Sequence, residues 1–260
     1  MHTREEKIEA FGRLVDVLDR LRAECPWDKK QTNESLRPNT IEETFELADA
    51  LLKNDKENIC EELGDVLMHM IFYSKIGEEK EDFDIADVCN HEADKLIFRH
   101  PHIYGDSTAE TSDDVLKNWE QIKLKENGGR KRVLSGVPDS LPSLIKAYRV
   151  QDKARNVGFD WADRKDVWKK VHEELNELEA ELEREDKDRS TRELGDFLFS
   201  VINAARLYKL NPDNALEYTN QKFIRRFNYI EEHSIRVGKP LAEMSLEEMD
   251  KLWEEAKSKE

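Results

Sequence analysis

Turn-forming residues are scarce: the 260-residue chain has 10 glycines and 7 prolines, roughly half their usual combined share of about 12%. So few of them argue against a sandwich or barrel, which needs a tight turn every few residues, and put an all-α fold first. Cysteine is nearly absent. Cys25, Cys60 and Cys89 are odd in number and show no CxxC spacing, which speaks against a disulfide framework or a zinc ribbon and for a reducing compartment. No apolar run approaches the roughly 18 residues of a membrane span, and the start, Met1 to Lys7, is polar with no hydrophobic stretch behind it. The expectation is a cytoplasmic protein, neither exported nor anchored. Positive charge is also in deficit: 42 basic against 58 acidic side chains leave a net charge of -16. Such a field repels duplex nucleic acid and anionic membrane, so neither is expected as a partner.

What the chain does have is charge in quantity, 38% of residues, matched by 38% hydrophobic residues. That is enough for an apolar stripe on each helix but not for a wholly buried sheet. At 100 to 200 residues per domain, the length predicts about two domains. A duplication supports the division. Glu42-Glu43-Thr44-Phe45-Glu46 recurs as Glu173-Glu174-Leu175-Asn176-Glu177, and Glu62-Leu63-Gly64-Asp65 recurs as Glu193-Leu194-Gly195-Asp196, both at an offset of 131. With small insertions or deletions, Lys95 and Arg99 match Lys222 and Arg226, and Trp119 and Lys123 match Trp253 and Lys257. A helix-breaking, charged stretch from Glu126 to Arg132, followed by Pro138 and Pro142, separates the copies. The expected organisation is a first helical repeat in 1–125, a linker in 126–139 and a second repeat in 140–260.

Within the first copy, Ile41, Phe45, Ala48 and Leu52 recur at helical spacing, as do Ile59, Leu63, Val66, Leu67 and Met70 beyond a Lys53-Asn54-Asp55 turn. The second copy repeats this with Val167, Val171, Leu175, Leu178 and Leu182, a charged turn around Asp186 to Asp188, then Leu194, Phe197, Leu198, Val201 and Ile202. Each copy is thus an amphipathic α-hairpin, and a lone hairpin needs further helices, from a second hairpin or a dimer mate, to bury its stripes.

The chemistry concentrates in the carboxylates. Residues three apart share a helix face, so Glu174 and Glu177 point one way and Glu193 and Asp196 do so on the returning helix. Glu43, Glu46, Glu62 and Asp65 copy the arrangement. Four carboxylates converging on an apolar stripe repel one another unless a cation neutralises them. An all-oxygen set favours Mg²⁺, with Mn²⁺ as a substitute, over zinc. A ferritin-like di-iron site would want Glu-x-x-His, and neither Glu46, Glu62 nor their copies has it. The glycine inside each ELGD suggests a close helix approach, because it otherwise costs helix stability. Lys222, Arg225 and Arg226 fall within about one helical turn and could hold phosphate, while Trp253 could stack on a base or cap a core. No glycine loop of the GxxxxGK[ST] or GxGxxG type is present to cradle phosphates. His100-Pro101-His102 has no third ligand placed by spacing and reads as a helix-ending turn, and His172, beside Glu173, could orient a water but reads first as a partly exposed helix histidine.

Cys25-Pro26-Trp27-Asp28-Lys29-Lys30-Gln31-Thr32, the two EExxE…ExxD blocks, Arg99-His100-Pro101-His102, Gly158-Phe159-Asp160-Trp161 and the Lys222 to Arg226 segment together resemble the MazG family of nucleoside triphosphate pyrophosphohydrolases, in its two-repeat form, over essentially the whole chain. The resemblance implies an all-α fold, a homodimer and Mg²⁺-dependent hydrolysis of NTPs and dNTPs to nucleoside monophosphate and pyrophosphate. It further implies a main site in the second repeat. There Glu174, Glu177, Glu193 and Asp196 would bind metal, Lys222, Arg225, Arg226 and Trp253 would surround the nucleotide, and Glu174 or Glu173 would activate water while Lys222 and Arg226 stabilise developing charge. Glu43, Glu46, Glu62 and Asp65 form a second candidate site, with Phe98 where the other copy has Arg225. Two other classes stay open at this stage: a nucleotide-binding regulator that does not turn over, and a helical dimerisation module whose carboxylates are merely salt-bridged.

Overall fold

The computed structural model describes residues 1–108, 111, 115, 122 and 132–260. Trp119, Lys123 and the linker residues Glu126 to Lys131 lie outside these. The described residues are helical, with no strand among them, and the chain divides into two compact units, Met1–Lys123 and Leu124–Glu260.

The first unit contains α1 (Arg4–Glu24), α2 (Asn33–Lys53), α3 (Lys56–Glu78), α4 (Ile85–Arg99) and the single turn α5 (Pro101–Tyr104). Helix α2 ends at Asn54, whose left-handed backbone (φ 53°) closes the turn, and the Asp55 side chain then caps α3 by accepting from the Asn58 N–H. The pair is the antiparallel hairpin expected from the sequence, and α1 packs on α3. Leu18, Leu36, Ile71, Phe72 and Ile76 form its core. Arg22, near the end of α1, holds both carboxylate oxygens of Glu79 at 2.7 Å and donates to the Gln31 carbonyl at 3.0 Å, so the Cys25 to Thr32 segment is pinned against the end of α3.

The second unit contains α6 (Ser143–Arg155), α7 (Val167–Glu183), α8 (Lys187–Leu207), α9 (Pro212–Val237) and α10 (Leu246–Ser258). Helices α7 and α8 form the second hairpin, α6 packs on α8, and α10 packs on α9. The turn falls slightly earlier than its charge run suggested. Glu185 takes the left-handed conformation (φ 57°), and Asp186 is the N-cap of α8, accepting from the Arg189 N–H, so Asp188 already belongs to the helix. Capping chemistry outranks charge density here, because an Asp at the N-cap satisfies an otherwise orphaned N–H. Val167, Val171 and Ala204 make the small core of this hairpin.

Arg206 ties the segment before α7 to α8. Its side chain is only 4% exposed, and the guanidinium donates to Asp160 (Nη1 to Oδ2, 3.1 Å) and to Asn203 Oδ1. Burial alone would raise the Asp160 carboxyl, but hydrogen bonds from Arg206 and the Trp161 N–H, with the charges of Arg206 and Arg155, outweigh it and hold it below its ordinary value.

The apolar stripes are only partly covered. Ile41, Phe45, Leu63, Leu67 and Met70 in the first hairpin, and Leu182, Leu194, Leu198 and Val201 in the second, remain exposed, since two helices can bury only the seam between them. The expectation for the ELGD glycines is corrected: a Cβ at Gly64 or Gly195 would meet nothing within 4 Å, so neither glycine marks a close approach among the described residues.

Two outcomes follow from these contacts. Asp186→Ala is expected to cost about 1 kcal/mol, read as a lower urea midpoint at unchanged slope. Because the folded Asp160 carboxyl lies below its unfolded value, its contribution is present above that value, near 3.8, and is lost as pH falls through the folded one. Wild type is therefore expected to exceed Asp160→Asn in stability at pH 6, with the gap closing as pH falls below 3.8; an unchanged gap at low pH would disprove the ion pair.

Candidate functional site

The α7–α8 hairpin brings the predicted carboxylates together. Glu174 and Glu177, one turn apart on α7, face Glu193 on α8, and one oxygen from each lies within 4.8 Å of the others. Glu174 is buried, Glu193 half-buried and Glu177 exposed. Burial, followed by the charges of Glu177, Asp196, Glu174 and Glu181, pushes the Glu193 carboxyl above its ordinary value. Asp196, one turn further along α8, thus belongs to the same electrostatic cluster although it stands outside the tight triple. In the first hairpin the close triple is Glu43, Glu62 and Asp65, with Asp65 in it and Glu46, the counterpart of Glu177, outside it. Glu43 is raised by burial, then by Asp65 and Glu46, and Glu62 by burial, then by Glu46 and Asp65. Carboxylates held this close are in an unfavourable state, and an all-oxygen set of this kind suits a hard divalent cation.

Lys170, one turn before Glu174, partly offsets that repulsion. Its Nζ lies 2.8 Å from Glu173 Oε1 and 2.6 Å from Glu174 Oε1, and these two bonds raise its pKa above the ordinary lysine value. Glu173 itself is exposed and turned toward Lys170. Sequence reasoning missed Lys170, yet its signal is readable: a lysine four residues before a glutamate on one helix face.

Beside the carboxylates opens a cavity of about 680 Å³ whose lining includes Lys170, Glu174 and Asp196 together with Gln151, Trp161, Phe199 and Asn203. The Gly158-Phe159-Asp160-Trp161 motif contributes to its wall. Gly158, at φ 89°, supplies a backbone conformation that residues with a Cβ rarely adopt. No spacing rule revealed the cavity, because its residues come from four separate stretches.

The basic segment sits elsewhere in the second unit. Arg226 bonds to Glu260 (Nε to Oε2, 3.2 Å) and lies over the Trp253 ring, 5.4 Å from its centre. Arg225 reaches the same carboxylate at 3.9 Å, and Lys222 adds its charge to it. Trp253 is half-buried against Phe223 on α9. The four predicted nucleotide-binding residues are therefore assembled with one another at the α9–α10 junction. Among the described residues no ion pair or hydrogen bond joins them to the carboxylate cluster.

The weaker candidates resolve simply. His100 joins α4 to α5 with its Nδ1 on the Leu96 carbonyl at 2.7 Å, and His172 turns its Nδ1 to the Trp168 carbonyl at 2.5 Å. Neither belongs to a metal-ligand cluster among the described residues. Phe98, at the position of Arg225, is exposed.

The family described as the MazG nucleotide pyrophosphohydrolase domain matches twice, over residues 31–104 and 164–230, each match holding one carboxylate hairpin. A nucleoside triphosphate pyrophosphohydrolase of Escherichia coli K12 is 39% identical over 257 residues, covering 96% of this chain and 98% of that protein. A nucleoside triphosphate pyrophosphohydrolase/pyrophosphatase MazG of Thermotoga maritima is 41% identical over 250 residues, 95% of each chain. The Bacillus subtilis protein YabN is 45% identical over 263 residues, 99% of this chain but 54% of YabN. Matched twice across more than half its length, and aligned end to end with relatives near 40% identity, this chain belongs to the MazG nucleotide pyrophosphohydrolase family.

Proposed function

We propose that the chain hydrolyses nucleoside triphosphates, both NTPs and dNTPs, at the α–β phosphoanhydride, releasing nucleoside monophosphate and pyrophosphate. The observation that carries this reading is the convergence of Glu174, Glu177 and Glu193 beside a cavity, large enough for a nucleoside, that Glu174 and Asp196 help to line. These four would hold Mg²⁺, or Mn²⁺ in its place. When bound, the ion would neutralise the carboxylates and polarise phosphate oxygens.

The chain's own groups have separable tasks. A water attacks phosphorus, the α–β phosphoanhydride bond breaks, pyrophosphate departs, and a carboxylate takes the proton of the attacking water. Glu174 or Glu173 is assigned that proton, since Glu174 lines the cavity, Glu173 is its neighbour in the chain and both are held in place by Lys170. Lys222, Arg225 and Arg226 carry the positive charge that phosphate oxygens require, and Trp253 offers a flat face beside them. For Arg226 to take a phosphate, it must exchange its bond to Glu260.

The second repeat is proposed as the main site. At the offset of 131, Ser200 and Asn203, which line the cavity, correspond to His69 and Phe72, both 4% exposed and packed inside the first hairpin. His69 is bonded to Thr40 at 2.6 Å, and the counterpart of Lys170 is Asn39. The first hairpin thus keeps the carboxylates but fills the neighbouring space and lacks the lysine. The recess beside its own carboxylates is smaller, about 340 Å³.

The exposed apolar stripes of both hairpins are the reason to propose a homodimer, in which each hairpin is covered by further helices. A cytoplasmic setting accords with three unpaired cysteines and with the absence, among the described residues, of a helix long and apolar enough to cross a membrane.

Incubation with Mg²⁺ and eight NTPs and dNTPs is expected to yield monophosphate and pyrophosphate, with Glu193→Ala lowering kcat at least about 100-fold and Glu43→Ala leaving most turnover. Diphosphate as product would sink the assignment of the bond, and loss of turnover in Glu43→Ala with an active Glu174→Ala would reverse the assignment of the repeat.

A further inference from the structure

The Arg226 guanidinium already holds an anion. It donates from Nε and Nη2 to one oxygen, Oε2, of Glu260, and Arg225 Nη2 stands 3.9 Å from the other, Oε1. The hydrogen bonds from Arg226, with the charges of Arg226, Arg225 and Lys222, outweigh desolvation and hold the Glu260 carboxyl below its ordinary value. A carboxylate offers a guanidinium fork the same kind of oxygens as a phosphate does. The pair is only partly in water, the Arg226 and Glu260 side chains being 13% and 33% exposed. Glu260 follows α10, and that helix end is fastened to α9 beside it: Lys259 Nζ donates to the Tyr229 hydroxyl at 2.6 Å and lies 4.3 Å from its ring centre, and the hydroxyl donates to Glu255 at 3.2 Å. Arg226 does not depend on Glu260 for its place, because the Trp253 ring backs the guanidinium at 5.4 Å.

We infer that Glu260 is an internal competitor for the phosphate chain of the nucleotide: it occupies Arg226 until a phosphate displaces it, and so sets how tightly nucleotide binds without taking part in the chemistry. This deepens, and rests on, the proposed role of Lys222, Arg225 and Arg226 as phosphate-binding residues. Arg226 cannot give Nε and Nη2 to Glu260 and to a phosphate at once. The affinity of the freed cations is therefore divided by one plus the equilibrium constant of the internal pair. For an ion pair of this partial exposure that divisor is about five. The competition depends on the negative charge of Glu260 acting on Arg226, and both parts of that statement are open to substitution.

The test measures KM and kcat for ATP with Mg²⁺ on the full-length wild type, Glu260→Gln, Arg226→Gln and the double variant. Glu260→Gln, which keeps the shape and removes the charge, is expected to lower KM about fivefold at unchanged kcat. In the Arg226→Gln background the same substitution is expected to change KM by less than about twofold. An unchanged KM in Glu260→Gln overturns the inference, as does a raised one, which would make Glu260 a residue that positions Arg226. A fall in KM that persists without Arg226 overturns it too, because the gain would then come from the loss of a surface charge alone. Calorimetric binding of inorganic tripolyphosphate to the same four proteins needs no turnover and separates the two claims. Should no triphosphate be hydrolysed, the hydrolytic reading fails, while tripolyphosphate bound about fivefold more tightly by Glu260→Gln, and only when Arg226 is present, still supports competition; equal affinity or no binding overturns it.

Discussion

Mutual repulsion of carboxylates at the seam of a helical hairpin is the constraint around which the rest of this chain is arranged. One oxygen from each of Glu174, Glu177 and Glu193 is held within 4.8 Å of the others, and Lys170 partly offsets them. Burial raises the cost, and the charges of Asp196 and Glu181 raise it further. A fold does not keep such a cluster for stability, since an apolar seam of similar volume would serve better. The hairpin geometry makes the arrangement achievable: a short turn capped by Asp186 sets α7 and α8 antiparallel, so residues 16 apart in the chain meet at one height. The caps, the small Val167, Val171 and Ala204 core and the Arg206–Asp160 tie then hold the two helices and the segment before them in place.

Much of this was legible in the sequence because it depends on periodicity. Helical hairpins follow from a 3.6-residue apolar period, and carboxylates three apart must share a face, so the meeting of Glu174, Glu177 and Glu193 could be read from spacing and a plausible turn. The duplication sharpened the reading, since an unchanged offset of 131 keeps both blocks and the interval between them in register. The charged turn was recognised but placed a little late, because charge marks solvent exposure whereas the cap residue marks where the helix begins.

The rest required coordinates for physical reasons. Spacing gives the face of a helix but not what covers it: Ile41, Phe45, Leu63 and Leu194 were read as stripes that need further helices, and how far the chain itself leaves them exposed took the structure to see. The same limit misled the interpretation of Gly64 and Gly195, where a costly helix residue was taken for a close approach. Lys222, Arg225, Arg226 and Trp253 were correctly grouped, but their neighbour Glu260 lies more than 30 residues from Arg226 in the chain and could not be foreseen. The cavity is the clearest case. It exists because Ser200 and Asn203 are small where His69 and Phe72 are large, a difference that becomes meaningful only once α6 is known to pack on α8.

The two hairpins therefore share a charge pattern and differ in the space beside it, and the cation demand should be the same in kind at both. The most direct measurement is thermal unfolding of the full chain and of Glu193→Gln, each with and without Mg²⁺. Repulsion as the governing constraint predicts that the variant melts above wild type when no divalent cation is present, and that Mg²⁺ raises wild type more than the variant, which keeps only the first hairpin's cluster intact. A variant that melts lower without cation, or a wild type indifferent to Mg²⁺, would contradict it.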